Sequence, residues 1–106
     1  MRADMFEILA VLTEAPRSAT DIRATTRRAG GGSPLPLATF YRRLSEALDR
    51  GWIEGCLPVA EGGRGGPGRP GQVFRLTPTG RRAALAHAER TSRFIALLDA
   101  GAGEGR

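Results

Sequence analysis

Apolar residues recur at helical spacing near the start of the chain, at Met5, Ile8, Leu9 and Leu12 with Phe6 beside them. This predicts an amphipathic helix from Ala3 to Thr13, ended before Ala15-Pro16. Ser18 stands three residues before Asp21, a capping box with Asp in place of Glu, and opens a short second helix from about Ala19 to Arg28. Its apolar contribution is thin, mainly Ala19 and Ile22. Gly30-Gly31-Gly32-Ser33-Pro34 breaks that helix, and Pro36 suits the first turn of the next, where a missing N–H costs nothing. The third helix runs to Arg50. At about 100° per residue, Leu37, Phe40, Tyr41, Leu44, Ala47 and Leu48 fall on one side. Ala38, Thr39, Arg42, Arg43, Ser45, Glu46, Asp49 and Arg50 fall on the other. Gly51 stands just past the end, where a left-handed residue closes a helix.

The periodicity then changes. Trp52 to Leu57 begins with β-favouring residues, and Gln72 to Thr77 resumes alternation, so two antiparallel strands are expected. Between them Ala60 to Gly71 holds six Gly, two Pro and two Arg, a composition that cannot pack and predicts a mobile hairpin tip. Thr77-Pro78 reads as an N-cap with proline at the first helical position. A last helix follows to about Asp99, with Ala84, Leu85, Ala88, Ser92, Ile95 and Leu98 spaced by threes and fours. The order helix, helix, helix, strand, strand, helix is that of an α+β, mainly α, winged helix-turn-helix: three helices, a two-stranded β-wing and a C-terminal dimerisation helix at about 78–99. One domain is expected over 1–100, with a flexible tail at 101–106.

Charge sharpens this picture by its placement. All sixteen basic residues are arginine, and from Ile22 to Arg82 eleven of them face Glu46, Asp49, Glu54 and Glu61, leaving +7 in the middle of a chain whose total is +5. A basic middle on a small domain is the electrostatic footprint of a polyanion binder; a merely solvated basic face is the alternative. No apolar run approaches the roughly 20 residues a bilayer requires, and the acids near the N-terminus do not suit a signal peptide, so a cytoplasmic protein is expected. Cys56 is the only cysteine, which leaves no internal disulfide and no cysteine cluster for zinc; it reads as a small buried hydrophobe. His87, the only histidine, has no Cys, Asp or Glu at metal-binding spacing, and no catalytic set can be assembled around it. No enzyme, no metal and no cofactor are expected.

Five stretches carry a family pattern: Ile8-Leu9-Ala10-Val11-Leu12 with Ala15-Pro16; Thr39-Phe40-Tyr41-Arg42-Arg43-Leu44; Gly51-Trp52-Ile53; Gly68-Arg69-Pro70; and Phe74-Arg75-Leu76-Thr77-Pro78-Thr79-Gly80. Over residues 6 to 85 the chain resembles the PadR-like transcriptional regulators. It departs from them at Ser18-Ala19-Thr20, where that family commonly has His-Gly-Tyr, and at Gly71-Gln72, where a basic pair often follows Arg-Pro. The resemblance implies a regulator that binds double-stranded DNA, and a small-molecule effector, whose identity no residue here specifies.

The third helix is the expected reader of the major groove, where a bidentate Arg meets guanine O6 and N7 and Thr meets phosphate or a thymine methyl. That nominates Thr39, Arg42 and Arg43, unless Glu46 and Asp49 merely pair with Arg42, Arg43 and Arg50 along the helix. Tyr41 reads as core. Gly63 to Gly68 and Gly66 to Gly71 both satisfy G-x-G-x-x-G, but a strand follows where a dinucleotide site needs a helix. As a wing tip, the loop instead offers Arg64 and Arg69 to a minor groove; a plain linker is the alternative. A homodimer is expected through Leu85, Ala88, Ser92, Ile95 and Leu98, assisted by Met5, Phe6 and Leu9, because nothing in the chain remains to cover the last turns. The simplest function is a repressor acting on a pseudo-palindromic operator. A winged helix that binds protein rather than DNA is the main rival, and an RNA-binding module is weaker because stacking aromatics are scarce.

Overall fold

The computed structural model describes residues 1–30, 35–56 and 72–104. Its elements are α1 (Ala3–Leu12), β1 (Arg17–Ser18), α2 (Ala19–Gly30), α3 (Leu37–Asp49), β2 (Ile53–Cys56), β3 (Val73–Leu76) and α4 (Pro78–Glu104). Four helices surround a small antiparallel sheet in the order β1-β3-β2. This is the winged-helix fold, with one strand more than the alternation of the sequence predicts. The added strand is two residues long and follows Pro16, so no run of alternating side chains announces it; Arg17 pairs with Phe74 and Ser18 with Val73.

The core is built where the 3.6-residue stripes of the first three helices meet the sheet. Met5, Ile8, Leu9 and Leu12 of α1, Ile22 of α2, Phe40, Leu44 and Ala47 of α3, Ile53 and Phe74 form one buried cluster. Arg17 ties the first turn to it from outside. Its Nε donates to the Val11 carbonyl at 3.0 Å, and its two terminal nitrogens reach Asp21 at 2.9 Å and Glu14 at 2.7 Å. The hydrogen bond with Asp21, more than any other contact, holds the guanidinium pKa above its ordinary value against the opposing effect of desolvation. Ser18 caps α2 as its spacing predicts, its Oγ accepting the Asp21 N–H at 3.1 Å.

α3 ends on Gly51 at φ +73°. The Gly51 N–H returns to the Leu48 carbonyl and the Trp52 N–H to that of Ala47, the paired bonds of a Schellman cap that turn the chain into β2. The start of α4 is then locked against this corner. Thr77 donates its N–H to the Trp52 carbonyl at 3.0 Å, its hydroxyl donates to the Gly51 carbonyl at 2.6 Å, and its Oγ1 accepts the Gly80 N–H at 3.0 Å. Gly80 lies so close that a Cβ there would stand 2.1 Å from the Trp52 oxygen. The Leu-Thr-Pro-Thr-Gly stretch is thus a junction that admits no side chain at its last position.

α4 runs to Glu104, past the expected end at Asp99, and the 101–104 part of the expected tail belongs to it. At 1.5 Å per residue its 27 residues span about 40 Å, which accounts for a molecule 62 Å long but only 28 by 21 Å across. Among the described residues, no helix is long and apolar enough to cross a membrane.

Gly80→Ala is expected to destabilise the domain by about 1 to 3 kcal/mol, because the Cβ meets backbone that cannot step aside. Gly101→Ala, with open space around its Cβ position, should leave stability unchanged or raise it slightly. Urea unfolding followed by circular dichroism measures both; equal midpoints would refute the close-packed junction.

Candidate nucleic-acid interface

The outward face of α3 is narrower than the polar residues along it suggest. Ala38, Arg42, Ser45 and Asp49 are exposed, whereas Thr39 and Glu46 are half-buried. Arg42 makes no ion pair or hydrogen bond among the described residues, because Glu46, the carboxylate that could have bound it, is taken on the far side by Arg43 at 3.3 Å and Arg50 at 3.2 Å. The pairing of the helix's own charges therefore leaves the exposed Arg42 guanidinium without a partner among the described residues.

Arg43 corrects the sequence expectation. It is only 8% exposed, and its Nε donates to Asp4 of α1 at 3.1 Å. The reason lies in the spacing: Phe40, Arg43, Leu44 and Ala47 are the i, i+3, i+4, i+7 stripe of α3, so Arg43 occupies a core slot and needs an internal counter-charge. It joins α1 to α3 and does not stand on the outward face. Asp4, which supplies that charge, carries no local signal of its own; the signal is an arginine inside an apolar stripe, which requires a buried carboxylate elsewhere. Leu37 departs in the opposite sense. Its spacing puts it on the apolar side, yet it is 54% exposed at the first turn.

Arg23 of α2 donates to the Leu35 carbonyl at 2.8 Å, fixing the residues that lead into α3. Arg27 and Thr20, also on α2, line a groove beside Leu37 and Tyr41. Tyr41 is half-buried and packs edge-on to Phe40, centroids 5.2 Å apart. Arg64 and Arg69, with the rest of residues 57–71, lie outside the described residues.

A second surface lies on α4. Ala84 and Ala88 carry the stripe that packs on α1, and Ile95 and Leu98 continue it beyond α1's reach. Leu85, Phe94, Ile95, Leu97 and Leu98 are all exposed, Leu98 at 73%; Ser92 is exposed between them. Met5 and Leu9, expected to help cover this stripe in a dimer, cannot do so. They are buried in the protomer's own core, at 2% and 0% exposure. Phe6 stays half-buried beside His87, ring centroids 4.9 Å apart. His87 is thus a packing residue, its Nε2 3.4 Å from the Thr91 hydroxyl. Cys56 is half-buried rather than buried.

No family model matches the chain, and no curated protein matches it. Solved structures do. A transcriptional regulator from Clostridium thermocellum, Cth-833, superimposes with a TM-score of 0.70 at 16% identity, covering 93% of this chain and 95% of its own. RosR of H. salinarum gives 0.67 at 18% identity over 97% and 94% of the two chains, and TA0346 of Thermoplasma acidophilum 0.68 at 19% over 93% and 89%. These likenesses establish the winged-helix fold over nearly the whole chain.

Arg43→Ala should cost about 1.5 to 3 kcal/mol, since it leaves Asp4 inside without its charged partner. Arg42→Ala, on the exposed strip, should stay within about 0.5 kcal/mol of the parent. Thermal melts of the two variants side by side test the assignment, and a tolerant Arg43 with a sensitive Arg42 would reverse it.

Proposed function

We propose that this protein is a sequence-specific DNA-binding transcriptional regulator of the PadR-like kind, acting as a homodimer, most simply as a repressor. The observation that carries the reading is the exposed strip of α3, where Arg42 has no partner among the described residues, on a helix anchored from behind by Asp4 and Arg43. A helix held rigidly on its inner face with a free guanidinium on its outer face is what base reading in the major groove requires. Thr39, at the edge of that strip, is assigned to phosphate. The basic middle of the chain supplies the sequence-independent attraction, and a regulator from Clostridium thermocellum shares the fold. A small-molecule effector is part of this reading only through the PadR-like resemblance.

The dimer follows from α4. An uncovered apolar stripe of Leu85, Ile95 and Leu98, with Ala88 and Ser92 giving close approach, is the kind of patch soluble monomers seldom keep. Two-fold pairing removes it and sets two copies of α3 about one DNA turn, roughly 34 Å, apart. Phe6, not Met5 or Leu9, is the residue of α1 left to assist. Ile95→Glu/Leu98→Glu should run as a monomer in light scattering after gel filtration; a dimer in that variant would remove α4 as the interface.

Arg42→Ala should lower affinity for its operator by about 1 to 3 kcal/mol with the fold intact. Replacing Arg64 and Arg69 should weaken binding to all sequences and flatten its salt dependence, if the wing contacts the minor groove. Gel shifts across a salt series separate the two effects, and an Arg42 variant with parental affinity would discard α3 as the reader.

A further inference from the structure

We infer that Leu37 reads the 5-methyl group of a thymine in the operator half-site, and so sets part of the sequence preference; this rests on the reading of α3 as the helix that enters the major groove. Exposure alone does not carry it, since single exposed leucines are ordinary on protein surfaces. Position does. Among the described residues the exposed large apolar side chains are Met1, Leu37 and a set confined to α4, and the α4 set forms a stripe with a partner surface of its own. Leu37 instead lies at the exposed N-terminal end of the apolar side of α3, beside Tyr41. It projects at 54% exposure from the first turn of α3, the end of a reading helix that approaches base edges.

Its surroundings are those of a nucleic-acid surface. The groove of about 200 Å³ between α2 and α3 places Leu37 beside Thr20, Arg23 and Arg27, groups whose natural ligand is phosphate. Arg23 is already committed to the Leu35 carbonyl at 2.8 Å, which fixes the backbone one residue before Pro36 and with it the direction of Leu37. Arg27 is exposed and makes no ion pair among the described residues. Ala38, next along and also exposed, adds no bulk that would hold the helix off the bases. An aliphatic side chain cannot answer the donors and acceptors of the major groove; the feature there that matches it is the thymine methyl. Arg42, five residues further along α3 and turned away from Leu37, is assigned to a guanine, so the two side chains discriminate by different chemistry.

The test begins with duplexes enriched from a random pool by the full chain, in which each thymine is then replaced singly by deoxyuridine. That exchange removes the methyl and keeps every hydrogen bond. At one thymine per half-site, uracil should weaken binding about fourfold, the factor for losing one buried methyl-sized group. Leu37→Ser should bind the two duplexes equally, Leu37→Met should keep the preference, and both should melt with the parent. Loss of discrimination at every thymine in the parent, or a full thymine preference retained by Leu37→Ser, overturns the assignment while leaving DNA binding in place. Failure of the chain to enrich or bind any duplex removes the DNA-binding reading itself, and this inference with it.

Discussion

The carbonyl of Trp52 is the point on which the arrangement turns. It follows the capped end of α3, receives the Thr77 N–H at 3.0 Å, and leaves no room for a side chain at Gly80. Three elements with separate tasks, the exposed helix, the sheet and the long terminal helix, are thereby referred to one peptide group. Backbone hydrogen bonds of this kind have little freedom in length or angle. The direction in which α4 leaves the domain is consequently set by the same corner that ends α3, and the spacing of two such domains would be set there too.

Internal ion pairing does a second job. Glu46 is shared between Arg43 and Arg50, and Arg50 also stacks over the Trp52 ring at 5.1 Å. The helix satisfies its inward and C-terminal guanidiniums with its own carboxylates and with Asp4. What is left over points outward. A surplus of arginine in this chain is thus divided between scaffold and surface, and residue type alone does not reveal which is which.

Much of this was legible in the sequence because it depends on local rules. Helix spacing located all four helices, Ser18 and Thr77 announced their caps, and Gly51 marked the end of α3. What could not be read depends on contacts between distant segments. β1 has two residues and exists because β3 offers it an edge, which no local pattern encodes. Arg43 was assigned by chemical type to the polar side, although its spacing from Phe40 and Ala47 put it in the core stripe. Met5 and Leu9 were counted as dimer residues although the same spacing had already committed them to the protomer's interior. Leu37 falls on the apolar side of α3 by spacing, yet it is exposed, because an apolar side chain at a helix start has no local cue telling inside from outside.

The two residues of β1 have an effect out of proportion to their number. By pairing with Val73 and Phe74 they occupy the side of β3 that β2 leaves free, so the most apolar strand of the sheet presents no open backbone at those positions. An unprotected edge beside a phenylalanine would be a template for pairing with other chains. The outer strands are then β1, two residues long, and β2, which is four residues long and carries Glu54, bound across the sheet to Arg75. Short edges, one of them charged, are poor seeds for intermolecular strands, a protection that matters most where copies of a protein are held at high local concentration.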